Sequence, residues 1–252
     1  MAEPVIETRG LTKAFGAKTV LRGLDLQVAR GESLVVIGGS GTGKSVLLKC
    51  ILGLVRPDAG TIRLNGQPGD RPNPAFLDRF GMLFQGGALF DSLPVWQNVA
   101  FRLLRGPERA AARRRAVEKL QRVGLGPEVA DLYPAQLSGG MQKRVGLARA
   151  IATDPEVIFF DEPTTGLDPI RAGIINDLIR GIVTETGATA VTITHDMASA
   201  RAIADRVAML HDGRIRWHGP VTGLDDAPDE AVQQFIHGRP HGPLTTPSPP
   251  TS

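Results

Sequence analysis

Gly38-Gly39-Ser40-Gly41-Thr42-Gly43-Lys44-Ser45 is the stretch that decides the fold. It fits the pattern Gly-x4-Gly-Lys-Ser, with Gly38, Gly43, Lys44 and Ser45 in the fixed places. The run before it, Ser33-Leu34-Val35-Val36-Ile37, reads as a buried parallel strand, and the run after it, from Val46 to Leu52, reads as a helix. A Gly-rich turn alone is common. Lys-Ser just inside a helix after a β-branched strand is the context a phosphate-binding loop needs. Glycines let the backbone curl until successive N–H groups face phosphate oxygens at the helix N-terminus. Lys44 then adds a point charge on the β and γ phosphates, and Ser45 offers a hydroxyl to Mg2+.

The chain around this loop has 252 residues, enough for one large domain or two closely packed subdomains, and for a core without staples. A single cysteine, Cys50, excludes a disulfide framework and reads as a small core residue. No apolar run reaches the roughly 18 residues of a membrane span, and the start of the chain lacks the pattern of a secretory signal. Net charge is only +3, but arginines cluster at Arg113-Arg114-Arg115. Such a run suits nucleic acid or an anionic surface. Without interleaved aromatics, a solvated helix face is the preferred reading, and no nucleic acid is expected.

Strands are expected at residues 5–10 and 20–28, with Phe15 in the turn between them. A purine stack and a plug in a small core both suit that ring. Residues 61–66 read as a strand, and 72–78 as a Pro-rich connection with a helical turn. Phe80-Gly81-Met82-Leu83-Phe84-Gln85 is a short strand whose final Gln85 can reach a metal or a water beside phosphates, because ligands gather at strand C-termini in α/β sheets. Residues 86–104 are richly apolar and read as a loop leading into a helix, either core or a docking patch. Residues 109–123 read as a helix with Ala110, Ala116, Val117, Leu120 and Val123 inward.

Ser138-Gly139-Gly140 opens another helix, a second N-terminus with bare amides. One nucleotide per phosphate loop leaves this second anion site unexplained unless it serves a nucleotide held by another subunit. Val157 to Asp161 reads as a buried strand, with Glu162 next. Asp161 is placed to hold Mg2+, and Glu162 to orient and deprotonate an attacking water. Asp168-Pro169 starts a helix with an apolar stripe at Ile170, Ile174, Ile175, Leu178, Ile179, Ile182 and Val183. A strand from Ala188 ends at His195, a donor to the γ-phosphate. A hairpin around Asp212-Gly213, a helix over 227–237 and a Pro-rich tail over 238–252 that is loose at its end finish the chain.

In this order the motifs resemble the ATP-binding subunit of ABC transporters, over nearly the whole of residues 5–218. They are the phosphate loop, the Q-loop Gln85, the signature Leu137-Ser138-Gly139-Gly140-Met141, the Walker B strand with Asp161 and Glu162, the D-loop Gly166-Leu167-Asp168 and the switch His195. The resemblance implies an α/β P-loop NTPase: a RecA-like mixed-sheet core (about 1–88 and 154–225), an N-terminal antiparallel β subdomain, a helical subdomain (about 89–153) and a C-terminal helix with tail (226–252). It implies a head-to-tail homodimer with ATP and Mg2+ sandwiched between copies. In it, Gly38, Gly39, Ser40, Gly41, Thr42, Gly43, Lys44, Ser45 and Val46 of one chain face Ser138, Gly139 and Gly140 of the other. Asp168 joins the nucleotide-binding set. Ser45, Gln85 and Asp161 are the metal set; Glu162, His195, Lys44 and Gln85 are the catalytic set. Phe15 matches the family's adenine-stacking aromatic, usually Tyr. Met141 stands where Gln is commonest, which costs little because backbone amides do the work.

The stretch Phe84-Gln85-Gly86-Gly87-Ala88-Leu89-Phe90, continuing through Asn98 to Phe101, is similar to ATPases that serve Mce-type lipid-binding partners, the MlaF-like subunits of phospholipid-trafficking transporters. In that group the region from Gln85 to Phe101 faces a transmembrane permease. The resemblance thus implies transport ATPase activity on the cytoplasmic face of a bacterial inner membrane, with an Mce-domain partner. Import of small polar solutes is the runner-up. A non-transport ABC ATPase and a P-loop kinase rank below. The tail from Ala227 onward is expected to clasp the partner subunit.

Overall fold

Ser33–Ile37 (β3) is buried at every residue, in the middle of a six-stranded sheet. Its two neighbours are both parallel to it: Thr189–Thr194 (β8) and Arg206–His211 (β9). Val157–Asp161 (β7) lies beyond β8, and Phe80–Leu83 (β6) beyond β7, again in parallel. Arg214–Pro220 (β10) closes the far edge antiparallel to β9, through a turn at Asp212 and Gly213, both at positive φ. A parallel strand buried on both faces favours a near-continuous apolar run, which β3 and β7 supply over 34–37 and 157–160; β8 is also buried at every residue but alternates threonines with Ala190, Val191 and Ile193. The strand order puts the C-terminal ends of β3, β8 and β7 side by side, where the loop, His195 and Asp161 stand.

This computed structural model describes residues 4–69, 79–105 and 109–245. The connection expected at 72–78 and the last residues of the tail lie outside them. A second sheet, order β2-β1-β4-β5, is antiparallel: Pro4–Phe15 (β1), Lys18–Ala29 (β2), Ala59–Leu64 (β4) and Gln67–Pro68 (β5). The expected strand ends were wrong here. β1 runs past Gly10 through a register shift between Thr8 and Leu11, so Phe15 ends a strand rather than sitting in a long turn. Two apolar clusters form the core: one under this sheet around Ile6, Leu24 and Phe159, the other around Ile37, Phe160 and the helices.

The helices are Lys44–Ile51 (α1), Val95–Val99 (α2), Ala112–Arg122 (α3), Gly139–Ala150 (α4), Pro169–Thr186 (α5), Met197–Ile203 (α6) and Glu230–Ile236 (α7). The apolar stretch 86–104 yields only α2 and a 3-10 turn; buried Asn98 bonds Phe90 and Leu93 and ties the preceding loop down. In α3 the inward alanine is Ala112, not Ala110, because Arg109–Ala111 is a separate 3-10 turn that starts the helical phase later. The arginines of α3 pair across elements: Arg113 with Asp131, Arg115 with Asp154 and Arg122 with Glu185. In α5, Ile175, Ile179, Ile182 and Val183 are buried as expected, but Ile170 and Ile174 are exposed. No described helix is long and apolar enough to cross a membrane. Cys50 is buried, and burial pushes its thiol up to about 11, as suits an inert core residue.

Candidate active site

The loop after β3 is shaped by what its glycines avoid. Gly38 has φ +152°, and a Cβ there would lie 2.3 Å from the Leu210 carbonyl oxygen. Gly43, at φ +107°, caps the start of α1 and faces Val20 and Leu21 at 3.1 Å. Side chains are therefore excluded on one side by β9 and on the other by β2. Lys44 folds back over this curl: its Nζ donates to the carbonyls of Gly38 at 2.7 Å and Gly39 at 2.8 Å. It is buried, and burial holds its pKa below the ordinary lysine range, against the pull of Glu162 and Asp161.

A cavity of about 740 Å³ opens above the loop. Of the sequence-predicted residues, Gly39, Ser40, Gly41, Gly43, Lys44, Ser45, Val46, Gln85, Glu162 and His195 line it. Gly38 lies just behind, against β9. Thr42 closes the loop on itself, its Oγ1 donating to Gly39 O at 2.9 Å.

Asp161 ends β7 with its Oδ1 buried and unpartnered, and burial, then the charge of Glu162, raises its pKa. Glu162 sits at φ +50°, strained for a residue with a Cβ, and its N–H is fixed by Ile193 O at 2.9 Å. That bend turns its carboxylate to His195, whose Nδ1 lies 2.9 Å from Oε2, while Thr165 Oγ1 donates to the same oxygen at 3.0 Å.

The remaining predicted residues do not join this cavity. Ser138 caps α4, accepting from Met141 N at 3.3 Å, and it stands exposed with Gly139. Asp168 spends its carboxylate on its own helix, accepting from Ile170 N at 3.1 Å and Arg171 N at 3.0 Å. The Arg171 N–H comes first in holding its pKa low. Phe15 is 51% exposed, with Lys13 Nζ 5.3 Å from its ring centre.

Three neighbours escaped the sequence reading. Val20 and Phe235 line the cavity, and Phe235 arrives from α7, far along the chain. Lys143, on α4, is buried with its Nζ 3.4 Å from Glu162 O, and burial lowers its pKa. Lys143 lies beside the signature run and Val20 near the start of β2, but no local pattern marks either as part of a pocket.

Among the described residues no three acidic, histidine or cysteine side chains cluster as a metal cage. The donors present are one carboxylate, a hydroxyl and an amide. They fit a Mg2+ ion that keeps waters and takes further oxygens from a phosphate. The orphaned Oδ1 of Asp161 is the acceptor such an ion would satisfy.

A family model described as "ABC transporter" matches residues 21–165. The chain is 40% identical over 245 residues to the "Probable ribonucleotide transport ATP-binding protein mkl" of Mycobacterium leprae, covering 95% of this chain and 70% of that one. It is 43% identical over 251 residues to the "Methionine import ATP-binding protein MetN" of Nocardia farcinica, covering 94% and 75%. Among solved structures, the dimeric bacterial ABC transporter cassette MJ0796 superposes with TM-score 0.78 at 32% identity, over 86% of this chain and 98% of that one. The ABC transporter component cbiO1 of Clostridium perfringens superposes with TM-score 0.81 at 26% identity, over 93% and 95%. The family match spans the phosphate loop, Gln85, the signature helix and the Walker strand, and the chain belongs to the ABC transporter family as one of its ATP-hydrolysing, ATP-binding subunits.

Proposed function

We propose that the chain powers lipid trafficking through a membrane permease, working as a head-to-tail homodimer on the cytoplasmic face of the membrane. ATP and Mg2+ bind at the phosphate loop. Ser45, Gln85 and Asp161 would hold Mg2+, which would neutralise charge on the phosphates. Glu162 takes the proton of the attacking water, His195 donates to the γ-phosphate, and Lys44 leaves the loop carbonyls for phosphate oxygens. Phe15 stacks on the base. Ser138, Gly139, Gly140 and Asp168 act on the nucleotide of the second copy. In this reading residues 1–225 form the cassette, with its helical part at about 89–153, and 226–252 the C-terminal segment.

The observation that carries the permease reading is an apolar groove of about 340 Å³ between the turn after α1, β6 and the 84–102 stretch. Phe84, Phe90 and Leu54 are exposed along it at 40%, 43% and 60%. Phe101 stacks on Phe90 at 4.6 Å and Arg149 fixes the loop through Gly87 O and Ala88 O, so the groove is held open rather than collapsed. Such a patch suits a short amphipathic helix of a permease.

Lipid as cargo rests on the likeness of 84–101 to the Mce-associated ATPases. The names of the relatives, ribonucleotide and methionine transport, favour import of small polar solutes as the second reading. Affinity purification of the chain from its own membranes separates them: an Mce-domain protein beside the permease supports lipid trafficking, and a soluble solute-binding protein supports import. Phe84→Asp with Phe90→Asp is expected to abolish permease recovery while leaving nucleotide binding intact. Full recovery would contradict the docking role.

The raised pKa of Asp161 gives a pH signature. Its charged form is lost on acidification at a higher pH than for a free aspartate, and only that form binds metal. The Mg2+ concentration for half-maximal hydrolysis is therefore expected to climb as pH falls, starting above the ordinary aspartate range. Excess Mg2+ should move the acid limb to lower pH. A limb that Mg2+ does not shift would remove Asp161 from the metal set.

A further inference from the structure

Three segments meet at one buried hydroxyl. Ser199, on α6, is fully buried, and its Oγ lies 2.6 Å from Asp196 Oδ2, 3.0 Å from Asn176 Nδ2 and 2.9 Å from Thr164 Oγ1. Proton counting fixes the directions. A carboxylate only accepts, so Ser199 gives its one proton to Asp196. An amide nitrogen only donates, so Asn176 gives to Ser199. Thr164 meets the remaining lone pair and must donate as well. The opposite amide orientation of Asn176 would set its oxygen against a hydroxyl with no proton to spare; as placed, Asn176 Oδ1 is buried without a partner.

The partners come from the segments that carry the chemistry. Thr164 lies two residues after Glu162 and is buried. Asp196 follows His195 directly; it accepts from Ala198 N at 3.1 Å and Ser199 N at 3.2 Å, and its own N–H donates to Thr194 Oγ1 at 3.0 Å. Asn176 stands on α5, the helix that Asp168 caps. Glu162 and His195 are therefore joined twice, directly at the cavity and from behind through Thr164, Ser199 and Asp196. The direct contact is water-accessible, with the His195 side chain 59% exposed, and must part when each group turns to the nucleotide. The bonds of Ser199 to Thr164 and Asn176 are buried, where an unmade hydrogen bond is costly, and the bond to Asp196 is partly buried.

We propose that Ser199 is a positioning residue for hydrolysis, the hub that keeps Glu162 and His195 in register once their direct contact opens. The proposal rests on the roles given to those two residues above. Ser199→Ala is expected to lower kcat about tenfold or more, since small misplacements of reacting groups are expensive, with KM for ATP within about twofold. Bound nucleotide per chain should be unchanged. In a His195→Ala background the same substitution is expected to cost nothing further, because the pair it aligns is already broken. Thr164→Val, which removes the donor to Ser199 with little change of shape, should reproduce the loss and fail to add to it. Unchanged kcat in Ser199→Ala, equal losses with and without His195, or additive losses with Thr164→Val would each overturn the hub. If Glu162→Gln hydrolyses ATP like the unsubstituted chain, the roles themselves fall; if only the Ser199 arms fail, the hub alone falls.

Discussion

Glu162→Gln is expected to cut ATP hydrolysis by about 10²–10⁴-fold, the usual worth of a positioned general base, while ATP still binds. The substitution exchanges one oxygen for an amide nitrogen, and little else changes. The residue keeps its strained backbone at φ +50°, pinned by Ile193 O, and a side-chain oxygen remains to accept from Thr165 Oγ1 at 3.0 Å. What is lost is the capacity to take a proton from water. The phosphate loop, on a different strand, is untouched. Phosphate release under saturating Mg-ATP, set beside equilibrium ATP binding, separates the two effects. Turnover near that of the unsubstituted chain would move the base elsewhere.

Lys44→Ala is expected to remove both nucleotide affinity and turnover, the latter by at least about 10²-fold, since a preorganised charge on the transferring phosphoryl group is lost. The structure shows two further consequences. The ammonium bonds Gly38 O and Gly39 O, so its removal leaves two carbonyls of a tightly curled loop without their donor. It also sits near Asp161 and Glu162, whose charges it balances. Without it the carboxyl of Asp161 should be still harder to ionise, so added Mg2+ should rescue less activity at low pH than at high pH. Lys44→Arg is not a mild alternative, because a planar guanidinium does not fit where three donors on a point charge meet two carbonyls. Isothermal titration with ATP and the change in Tm on adding nucleotide give the two readouts. Retained affinity would mean that the backbone amides alone hold the phosphates.

The strand–loop–helix at Gly38 to Ser45 was legible because its signal is local: a β-branched run, glycines where backbone curls, and Lys-Ser inside a helix. The same holds for β7, whose apolar run over 157–160 admits little else than a buried parallel strand, while β8 was legible from its β-branched Val, Ile and Thr residues. The misreadings share a cause. β1 was cut short at Gly10, at φ +58°, because a glycine between apolar runs reads as a turn. In the fold Gly10 is a bulge whose N–H is satisfied by Asp25 Oδ1 at 2.6 Å, a partner on the next strand. In α5 the helical period assigned Ile170 and Ile174 to the core, but periodicity names a face without saying what covers it, and among the described residues both stay exposed. Phe235 read only as a contact for the partner subunit, and Ser199 carried no signal at all. One reaches the cavity from the C-terminal helix and the other binds side chains 23 and 35 residues away, so only the tertiary structure brings them in. The tail was expected to be loose at its end, which lies outside the described residues; as far as residue 245 Gln234 ties it down, donating to Arg239 O and accepting from Leu244 N at 2.7 Å.

The signature residues define the central question. Ser138 and Gly139 are exposed at a helix N-terminus and do not line their own chain's cavity, whereas Lys44, Ser45, Gln85, Glu162 and His195 do. The account requires that a second copy bring them to the first copy's nucleotide. The direct measurement is the mass in solution of Glu162→Gln by light scattering, with saturating Mg-ATP and again with Mg-ADP. Twice the mass of one chain with Mg-ATP, and one chain's mass with Mg-ADP or with Ser138→Arg added, is the predicted result. A species that stays at one chain's mass while fully occupied by ATP would contradict it.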